Sequence, residues 1–221
     1  ADVPLQNGGK PSKYGSKNLM AVLFEPRWKS YTVQTTEPVL TPQQCDEVIR
    51  LGQTAPDQVG QVGQVKVEKS NNYSTAGKLD KKKRLCTISW IPFSQANEMY
   101  RKIEGWAVNT NNNHFGFDGI QITEPAQYTE YPTGGFYNWH MDSDIDMKHM
   151  PPVRKISMTL LLSDPKDFEG GELELIDNKK QPNLKRGYAV FFASFIRHRI
   201  KPVTKGNRKS LVMWFGGPPL R

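Results

Sequence analysis

The sequence predicts a mostly β protein with flanking helices, an α+β fold built on a double-stranded β-helix, or jelly-roll, core. From residue 120 onward, short β-prone runs alternate with turns rich in Gly, Pro, Asn and Asp. Many short strands at this spacing are typical of a sandwich or barrel. Two helical patterns precede these runs, where helices can cover one face of the core. A chain of 221 residues is long enough for one domain with a substantial apolar core.

The first helix is predicted to begin after Thr41. Thr41 suits the N-cap, Pro42 suits the first helical position, and Gln44 can complete a capping box. Gly52 is expected to end this helix. The later elements follow from apolar periodicity and turn residues. They are a second helix over 94–107 and strands over 59–69, 84–90, 120–123, 126–131, 156–162, 172–176, 189–192, 198–202 and 210–215.

The domain organisation follows from this change in pattern along the chain. We expect an N-terminal arm with a first strand over 1–38, and a single domain over 39–221. Within that domain, helical support is predicted over 39–115 and the jelly-roll core over 116–221. The glycine pairs at 134–135 and 170–171 mark the strongest turns.

Composition limits the class of protein. No apolar run reaches the roughly 18 residues that a transmembrane helix needs, and the N-terminus lacks the apolar core of a signal peptide. We therefore expect no membrane partner and a cytoplasmic location. Cys45 and Cys86 are expected to be buried, reduced thiols.

Basic residues give the chain a net charge of +8 and are densest at 81–84. Such a surface attracts acidic partners, but no nucleic-acid-binding motif is present. We interpret the basic run as a solvated segment. We also expect the segment 78–84 to fold over the active-site mouth when substrate binds, as lid loops do.

A metal site is indicated by His140 and Asp142. Side chains two apart in a strand point to the same side, so this imidazole and carboxylate can face one cavity. The third ligand must be His114, His149 or His198. His198 begins a β-prone run, and it alone is followed by a second chemical signature. Two His and one carboxylate on one face are the ligand arrangement of iron(II) oxygenases.

That second signature is a cation ten residues beyond His198. Arg208 offers a planar fork that suits the far carboxylate of a dicarboxylic cosubstrate. Ser210, on the same side of a strand, can donate a hydrogen bond to it. We therefore assign His140, Asp142 and His198 as metal ligands and Arg208 with Ser210 as the cosubstrate site.

From about residue 116 onward, the sequence resembles the prolyl 4-hydroxylase-like branch of the 2-oxoglutarate/Fe(II) dioxygenases. The resemblance rests on three segments: the tyrosine, glycine turn and first two ligands in 127–142, Gly-Gly-Glu-Leu at 170–173, and the last ligand with its basic residue in 198–208. It implies iron(II), 2-oxoglutarate and O2 as cofactors, with ascorbate as a reductant. Procollagen enzymes of the family carry lysine where this chain has Arg208, so procollagen specificity does not follow.

The resemblance also implies roles for individual side chains. It gives Tyr131 a hydroxyl contact to 2-oxoglutarate and places Tyr137 in the active-site wall. We expect Arg154, which begins a strand after a Pro-Pro loop, to line the substrate entrance. Trp214 is grouped with Tyr137 and Arg154 as a substrate contact.

The expected activity is hydroxylation of prolyl residues in a peptide or protein, with release of succinate and CO2. Hydroxylation of a free amino acid or another small molecule is the alternative within the enzyme class. A non-catalytic binding module on the same fold is an alternative of another class, and a zinc hydrolase is a third, because two His and one Asp also suit zinc. Arg208 and the absence of an obvious general base disfavour the hydrolase.

Overall fold

The computed structural model describes residues 30–59, 65–66, 73–74, 80, 82–143, 152–176 and 182–219. The helices of this part are α1 (Pro42–Thr54) and α2 (Asn97–Thr110), with a π-helical turn over Asn111–Phe115 and 3-10 turns over Phe93–Gln95 and Pro165–Asp167. The strands are β1 (Thr32–Gln34), β2 (Asp57–Val59), β3 (Val65–Lys66), β4 (Tyr73–Ser74), β5 (Arg84–Leu85), β6 (Thr87–Ile91), β7 (Gln121–Ile122), β8 (Ala126–Pro132), β9 (Phe136–His140), β10 (Val153–Leu161), β11 (Phe168–Gly170), β12 (Leu173–Leu175), β13 (Ala189–Ala193), β14 (His198–Ile200) and β15 (Val203–Gly217).

The strands form two main antiparallel sheets. The larger has the order β1-β13-β10-β15-β8-β6-β2, with β7 and β11 also pairing with β15. The smaller has the order β12-β14-β9-β5, and β3 pairs with β4 separately. Leu173 and Ile200 of the smaller sheet share one apolar cluster with Leu161 and Phe192 of the larger, so the two sheets enclose a common interior. The predicted mostly β fold with a jelly-roll core is confirmed.

A second apolar cluster lies between the larger sheet and the helices. Met158 and Leu160 on β10 belong to it, together with Val48 of α1 and Ile103 of α2. Residues that alternate along β10 therefore face opposite sides, toward the helices or toward the interior of the jelly roll. The helices thus cover one face of the larger sheet, as the sequence predicts.

The N-terminus of α1 agrees with the prediction, but its end does not. The Thr41 hydroxyl accepts from the Gln44 backbone N–H at 3.2 Å, and the Gln44 side chain accepts from the Thr41 N–H at 3.0 Å. Gly52 does not end the helix, which continues to Thr54. A Cβ on Gly52 would lie 2.2 Å from Cγ of Tyr128, so glycine is needed there for packing against the sheet.

Gly52→Ala is therefore expected to destabilise the protein by about 1–3 kcal/mol, the usual cost of overpacking a core. Gly105→Ala, in α2, is the matched control, since a Cβ there meets nothing within 4 Å. That change should stabilise the protein by about 0.5–1 kcal/mol through helix propensity. Urea unfolding of both variants measures the difference, and equal stabilities would contradict this account of Gly52.

Two predicted elements, one strand and one helix, were wrong in their limits. The region 203–209 contains turn-forming residues, yet β15 runs without a break over Val203–Gly217. Gly206 has a φ of +78°, and a Cβ there would lie 2.0 Å from the Asp167 carbonyl oxygen, so this glycine serves the close pairing with β11. The second helix also differs, because a 3-10 turn over Phe93–Gln95 precedes α2, which extends to Thr110.

The remaining sequence predictions concern the two cysteines, the N-terminal arm, His149, the segment 78–84 and membrane-spanning helices. Cys45 and Cys86 are buried and free, as predicted. Residues 1–29 of the arm, His149 and residues 78, 79 and 81 of the segment 78–84 lie outside the described residues. Among the residues that the structure describes, no helix combines the length and apolar character needed to cross a membrane.

Candidate metal centre

The two histidine ligands are brought together by strand pairing. His140 ends β9, His198 begins β14, and these residues are direct partners across the smaller sheet. Their ring centroids lie 4.1 Å apart. Asp142 follows β9 by two residues, and its carboxylate oxygens lie 3.5 Å from Nε2 of His140 and 3.5 Å from Nε2 of His198. The sequence predicts these three side chains as the ligand set, and the structure places them together.

A β-bulge decides which side chains of β9 face the interior. His198 pairs with His140 and Ile200 pairs with Tyr137, so three steps along β9 match two along β14. Tyr137 and His140, three residues apart, therefore lie on the same side. Their rings stack with centroids 3.5 Å apart and an interplanar angle of 16°. Tyr137 thus packs directly on a predicted ligand.

Backbone carbonyls orient both imidazoles. Nδ1 of His140 lies 2.8 Å from the Asn138 carbonyl oxygen, and Nδ1 of His198 lies 3.0 Å from that of Ile196. A carbonyl oxygen only accepts, so Nδ1 must carry the proton in each ring. In the neutral form of each ring, Nε2 then carries the lone pair and faces Asp142, which is the tautomer that a metal ligand requires.

The charges of the site also suit a cation. Burial, with His140 nearby, lowers the pKa of His198 to about 4, so this ring is neutral at pH 7. Burial opposes ionisation of Asp142, but the adjacent His198, His140 and Arg154 side chains hold the pKa of its carboxyl well below the usual range. A neutral imidazole and an ionised carboxylate are the forms that bind a metal.

The residues present fit a divalent metal ion. Two ligand atoms bonded to one ion at about 2.1 Å lie roughly 3 to 4 Å apart, and the candidate ligand atoms lie within 4.8 Å of one another. Within the described ranges, this is the one group of three or more His, Cys, Asp or Glu side chains so close together. His114 lies elsewhere, in the π-helical turn after α2.

The predicted cosubstrate residues lie on adjacent strands of the larger sheet. Arg208 on β15 pairs with Tyr131 on β8 and is only 2% exposed. Its Nη1 donates to the Ser210 hydroxyl at 3.0 Å, and the guanidinium carbon lies 5.7 Å from the Tyr131 ring centroid. Burial lowers the pKa of Arg208 and raises that of Tyr131. A buried cation thus lies beside two hydroxyl groups.

One cavity joins the two predicted sites. Tyr131 and Ser210 line it together with the three candidate ligands, and Arg208 lies behind Ser210. The described residues that line the cavity are Arg84, Gln127, Tyr131, Tyr137, His140, Asp142, Thr159, Leu173, His198, Ile200, Ser210 and Val212.

Arg84 corrects one sequence interpretation. It was grouped with the solvated basic run, but it lies on β5, is only 6% exposed and faces the cavity. Its Nε donates to Cys86 Sγ at 2.9 Å and its Nη2 to Gln127 Oε1 at 2.9 Å, and the guanidinium lies over the Tyr137 ring at 4.5 Å. Lys83, the preceding residue, is exposed as predicted. The strand alternation of 84–86 was a usable signal for an inward-facing Arg84.

Arg154 and Trp214 lie beside the triad. The Arg154 guanidinium stacks over the Trp214 ring at 3.8 Å, and its Nε donates to Glu124 at 2.5 Å. Its Nη1 lies 3.5 Å from the Asp142 carbonyl oxygen. Trp214 is 5% exposed, and its buried Nε1 has no hydrogen-bond partner among the described residues. Neither side chain belongs to the described cavity lining, so their substrate role stays a prediction.

Sequence reasoning missed the side chains that hold the ligands. Ser157 on β10 donates to Asp142, and Ser194, which follows β13, lies next to Ser157. Serine in an apolar run carries no local signal of such a role. Only the pairing of distant strands reveals it.

Comparison with known proteins finds a family model that matches part of the chain. The family model for the 2OG-Fe(II) oxygenase superfamily matches residues 126–216, the region that contains all three candidate ligands and Arg208. This match covers less than half of the chain. It agrees with the predicted class, a dioxygenase dependent on iron(II), 2-oxoglutarate and O2, and the triad suits an iron ion.

The curated proteins to which this chain is similar include hydroxylases. A PKHD-type hydroxylase from Colwellia psychrerythraea is 36% identical over 129 residues, which cover 58% of each chain. This chain spans about half the length of the curated relatives it matches, between 38% and 58%. The predicted likeness to prolyl hydroxylases agrees with the solved structures described next.

Two solved structures share the fold at low sequence identity. The viral collagen prolyl hydroxylase from Paramecium Bursaria Chlorella virus-1, in a 2OG complex, has a TM-score of 0.64 and 19% identity, covering 85% of this chain and 97% of the other. A prolyl hydroxylase from Trichoplax adhaerens, in complex with a hypoxia inducible factor peptide fragment, has a TM-score of 0.60 and 16% identity, covering 85% and 84%. The jelly-roll fold is therefore that of this class of oxygenase.

Proposed function

We propose that this chain is a 2-oxoglutarate- and O2-dependent hydroxylase of prolyl residues in a peptide or protein, releasing succinate and CO2. The observation that supports the proposal most directly is a single cavity lined by the His140, Asp142 and His198 triad and by Ser210, whose hydroxyl accepts a hydrogen bond from the buried Arg208. We assign the triad to iron(II) and the pair to the far carboxylate of 2-oxoglutarate. A zinc hydrolase or a binding module does not require that second site.

When bound, iron(II) supplies the activation of O2 that is coupled to decarboxylation of 2-oxoglutarate. The protein's own part is orientation and exclusion of water. Arg208 can pair with a carboxylate through its planar fork, while Ser210 and Tyr131 can add neutral hydrogen bonds. Burial raises the pKa of Tyr137 to about 12, so Tyr137 stays neutral while it packs on His140.

The prolyl substrate is inferred from the proteins that share this fold. Both solved structures described above are prolyl hydroxylases, one of collagen and one in complex with a peptide fragment. We infer a peptide or protein substrate for this chain as well, with Tyr137, Arg154 and Trp214 as its contacts. We also propose that 39–221 is one catalytic domain, to whose larger sheet the preceding strand β1 adds.

A second candidate is hydroxylation of a free amino acid or another small acid. Arg84 favours it, because this residue brings a second buried guanidinium to the cavity wall, and a guanidinium suits a substrate carboxylate. Arg84→Gln should then weaken the binding of a small acidic substrate and leave the binding of a neutral prolyl peptide almost unchanged.

Mass spectrometry after incubation with iron(II), 2-oxoglutarate and ascorbate tests the proposed function. We expect proline-containing peptides to gain one oxygen atom, with one succinate formed for each, and no gain with His198→Ala. Oxidation of free amino acids but not of peptides would favour the second candidate. Failure to form succinate with any substrate, by a protein that binds iron and 2-oxoglutarate, would reject both.

A further inference from the structure

The metal-binding carboxylate of Asp142 is held from outside the ligand set. Ser157 Oγ donates to Asp142 Oδ2 at 2.7 Å, and Ser194 Oγ lies 3.0 Å from Ser157 Oγ. Both serines are fully buried. The three side chains form a chain of hydrogen bonds that runs from the turn after β13, through β10, to the candidate metal site.

The number of hydroxyl protons fixes which group donates in each of these hydrogen bonds. An ionised carboxylate only accepts, so the single hydroxyl proton of Ser157 must point to Asp142. Ser157 Oγ can then only accept from its other neighbour, and Ser194 must be the donor to it. The two hydroxyl groups therefore act in series, and the Ser194 hydroxyl reaches Asp142 only through Ser157.

The backbone of Ser194 holds the same ligand a second time. Its carbonyl oxygen accepts from the Asp142 N–H at 2.9 Å and from the Ser143 N–H at 3.0 Å. Asp142 follows the end of β9 and lies in no strand. Its position thus depends on contacts with other segments, and the segment around Ser194 provides both a backbone and a side-chain contact.

The strand that carries Ser157 is held by a neighbouring strand on each side. Ser157 lies in the middle of β10, between β13 and β15, and pairs with Phe192 on one side and Trp214 on the other. A β-bulge earlier in β10 places Arg154 and Ser157 on the same side of the sheet. A hydroxyl at 157 therefore has a fixed location relative to His140 and His198.

We propose that Ser157 is a positioning residue for the metal site, which fixes the carboxylate plane of Asp142, and that Ser194 orients the Ser157 hydroxyl. A carboxylate can turn about its last side-chain bond, and only some orientations present an oxygen to the same ion as the two Nε2 atoms. Hydrogen bonds from outside the ligand set commonly preserve such an orientation and strengthen metal binding. The inference rests on the proposed assignment of the triad to iron(II).

Titration of Co(II) into the metal-free protein tests the inference without any turnover. Ser157→Ala should weaken Co(II) binding by about 10- to 100-fold and change the visible absorption of the bound ion. Ser194→Ala should weaken binding less. The double variant should bind as Ser157→Ala does, because groups that act in series are not additive. Ser89→Ala is the matched control, a buried serine that loses one 2.7 Å hydrogen bond, to the Gly52 carbonyl.

The outcomes separate this inference from the proposed function. If the parent protein binds no Co(II), the assignment of the triad itself is wrong. If the parent binds Co(II) and Ser157→Ala binds it with the same affinity and spectrum, the positioning role is wrong and the triad stands. Should Ser157→Ala fail to fold, Ser194→Ala decides, and parental Co(II) affinity in that variant would overturn the serial arrangement.

Discussion

Alanine at His140, Asp142 or His198 is expected to abolish turnover and to weaken iron binding severely. Each side chain supplies one of three ligand atoms that lie within 4.8 Å of one another. Loss of a direct ligand should cost more than the roughly 10- to 100-fold typical of an outer partner. Calorimetric titration of iron(II) without oxygen measures the affinity, and succinate formation measures turnover.

The control for this prediction is another histidine of the same chain. His114 lies in the π-helical turn after α2, outside the triad, so His114→Ala should keep parental iron affinity. His149 is the informative rival, since the sequence left it open as a third ligand. Near-normal iron binding by His198→Ala, combined with loss in His149→Ala, would show that the third ligand was chosen wrongly.

Local sequence patterns predicted the features that local physics determines. The capping box at Thr41 and Gln44 needs only four consecutive residues, and it forms as expected. The choice of His140 and Asp142 used the alternation of side chains in a strand. Both side chains do face one site, although Asp142 lies just beyond the end of β9. Arg208 and Ser210 followed from the same rule, and the structure places both on β15 with a direct hydrogen bond.

The features that sequence did not predict depend on distant segments. Gly52 is typical of a helix end, but here it leaves room for the Tyr128 ring, which a Cβ would meet at 2.2 Å. A bulge in β9 puts Tyr137 and His140 on one side, which strict alternation forbids. Ser157 can donate to Asp142 only because the fold brings β10 close to the end of β9. Each of these features depends on a partner that is distant in the sequence, and no neighbouring residue in the sequence indicates which partner it is.

The second large effect is expected at the residue that holds the far carboxylate of 2-oxoglutarate. The structure reduces the number of cations that can fill this role. The cations next to His198 in the sequence, Arg197, Arg199 and Lys201, are other candidates for this role. Arg197 and Arg199 instead lie over the Trp139 ring, at 5.6 and 4.9 Å, and Lys201 Nζ lies 3.5 Å from a carboxylate oxygen of Glu172. By contrast, Arg84 and Arg208 are both buried next to the cavity.

Arg208→Ala is expected to weaken 2-oxoglutarate binding by about 2–5 kcal/mol, the usual cost of truncating one side of a buried charge pair, and to leave iron affinity nearly unchanged. Arg208→Lys keeps the charge but loses the planar fork, so its loss of 2-oxoglutarate affinity should be smaller. Tyr131→Phe should cost about 1 kcal/mol, because it removes one neutral donor.

Lys205→Ala is the control, since Lys205 lies on the same strand with its side chain 77% exposed. Anaerobic titration of 2-oxoglutarate into the iron-loaded variants, followed by absorption of the chelate, gives these affinities directly. If Arg208→Ala binds 2-oxoglutarate as the parent does and Arg84→Gln does not, the carboxylate is held by Arg84, and the cosubstrate lies in the cavity in a different orientation.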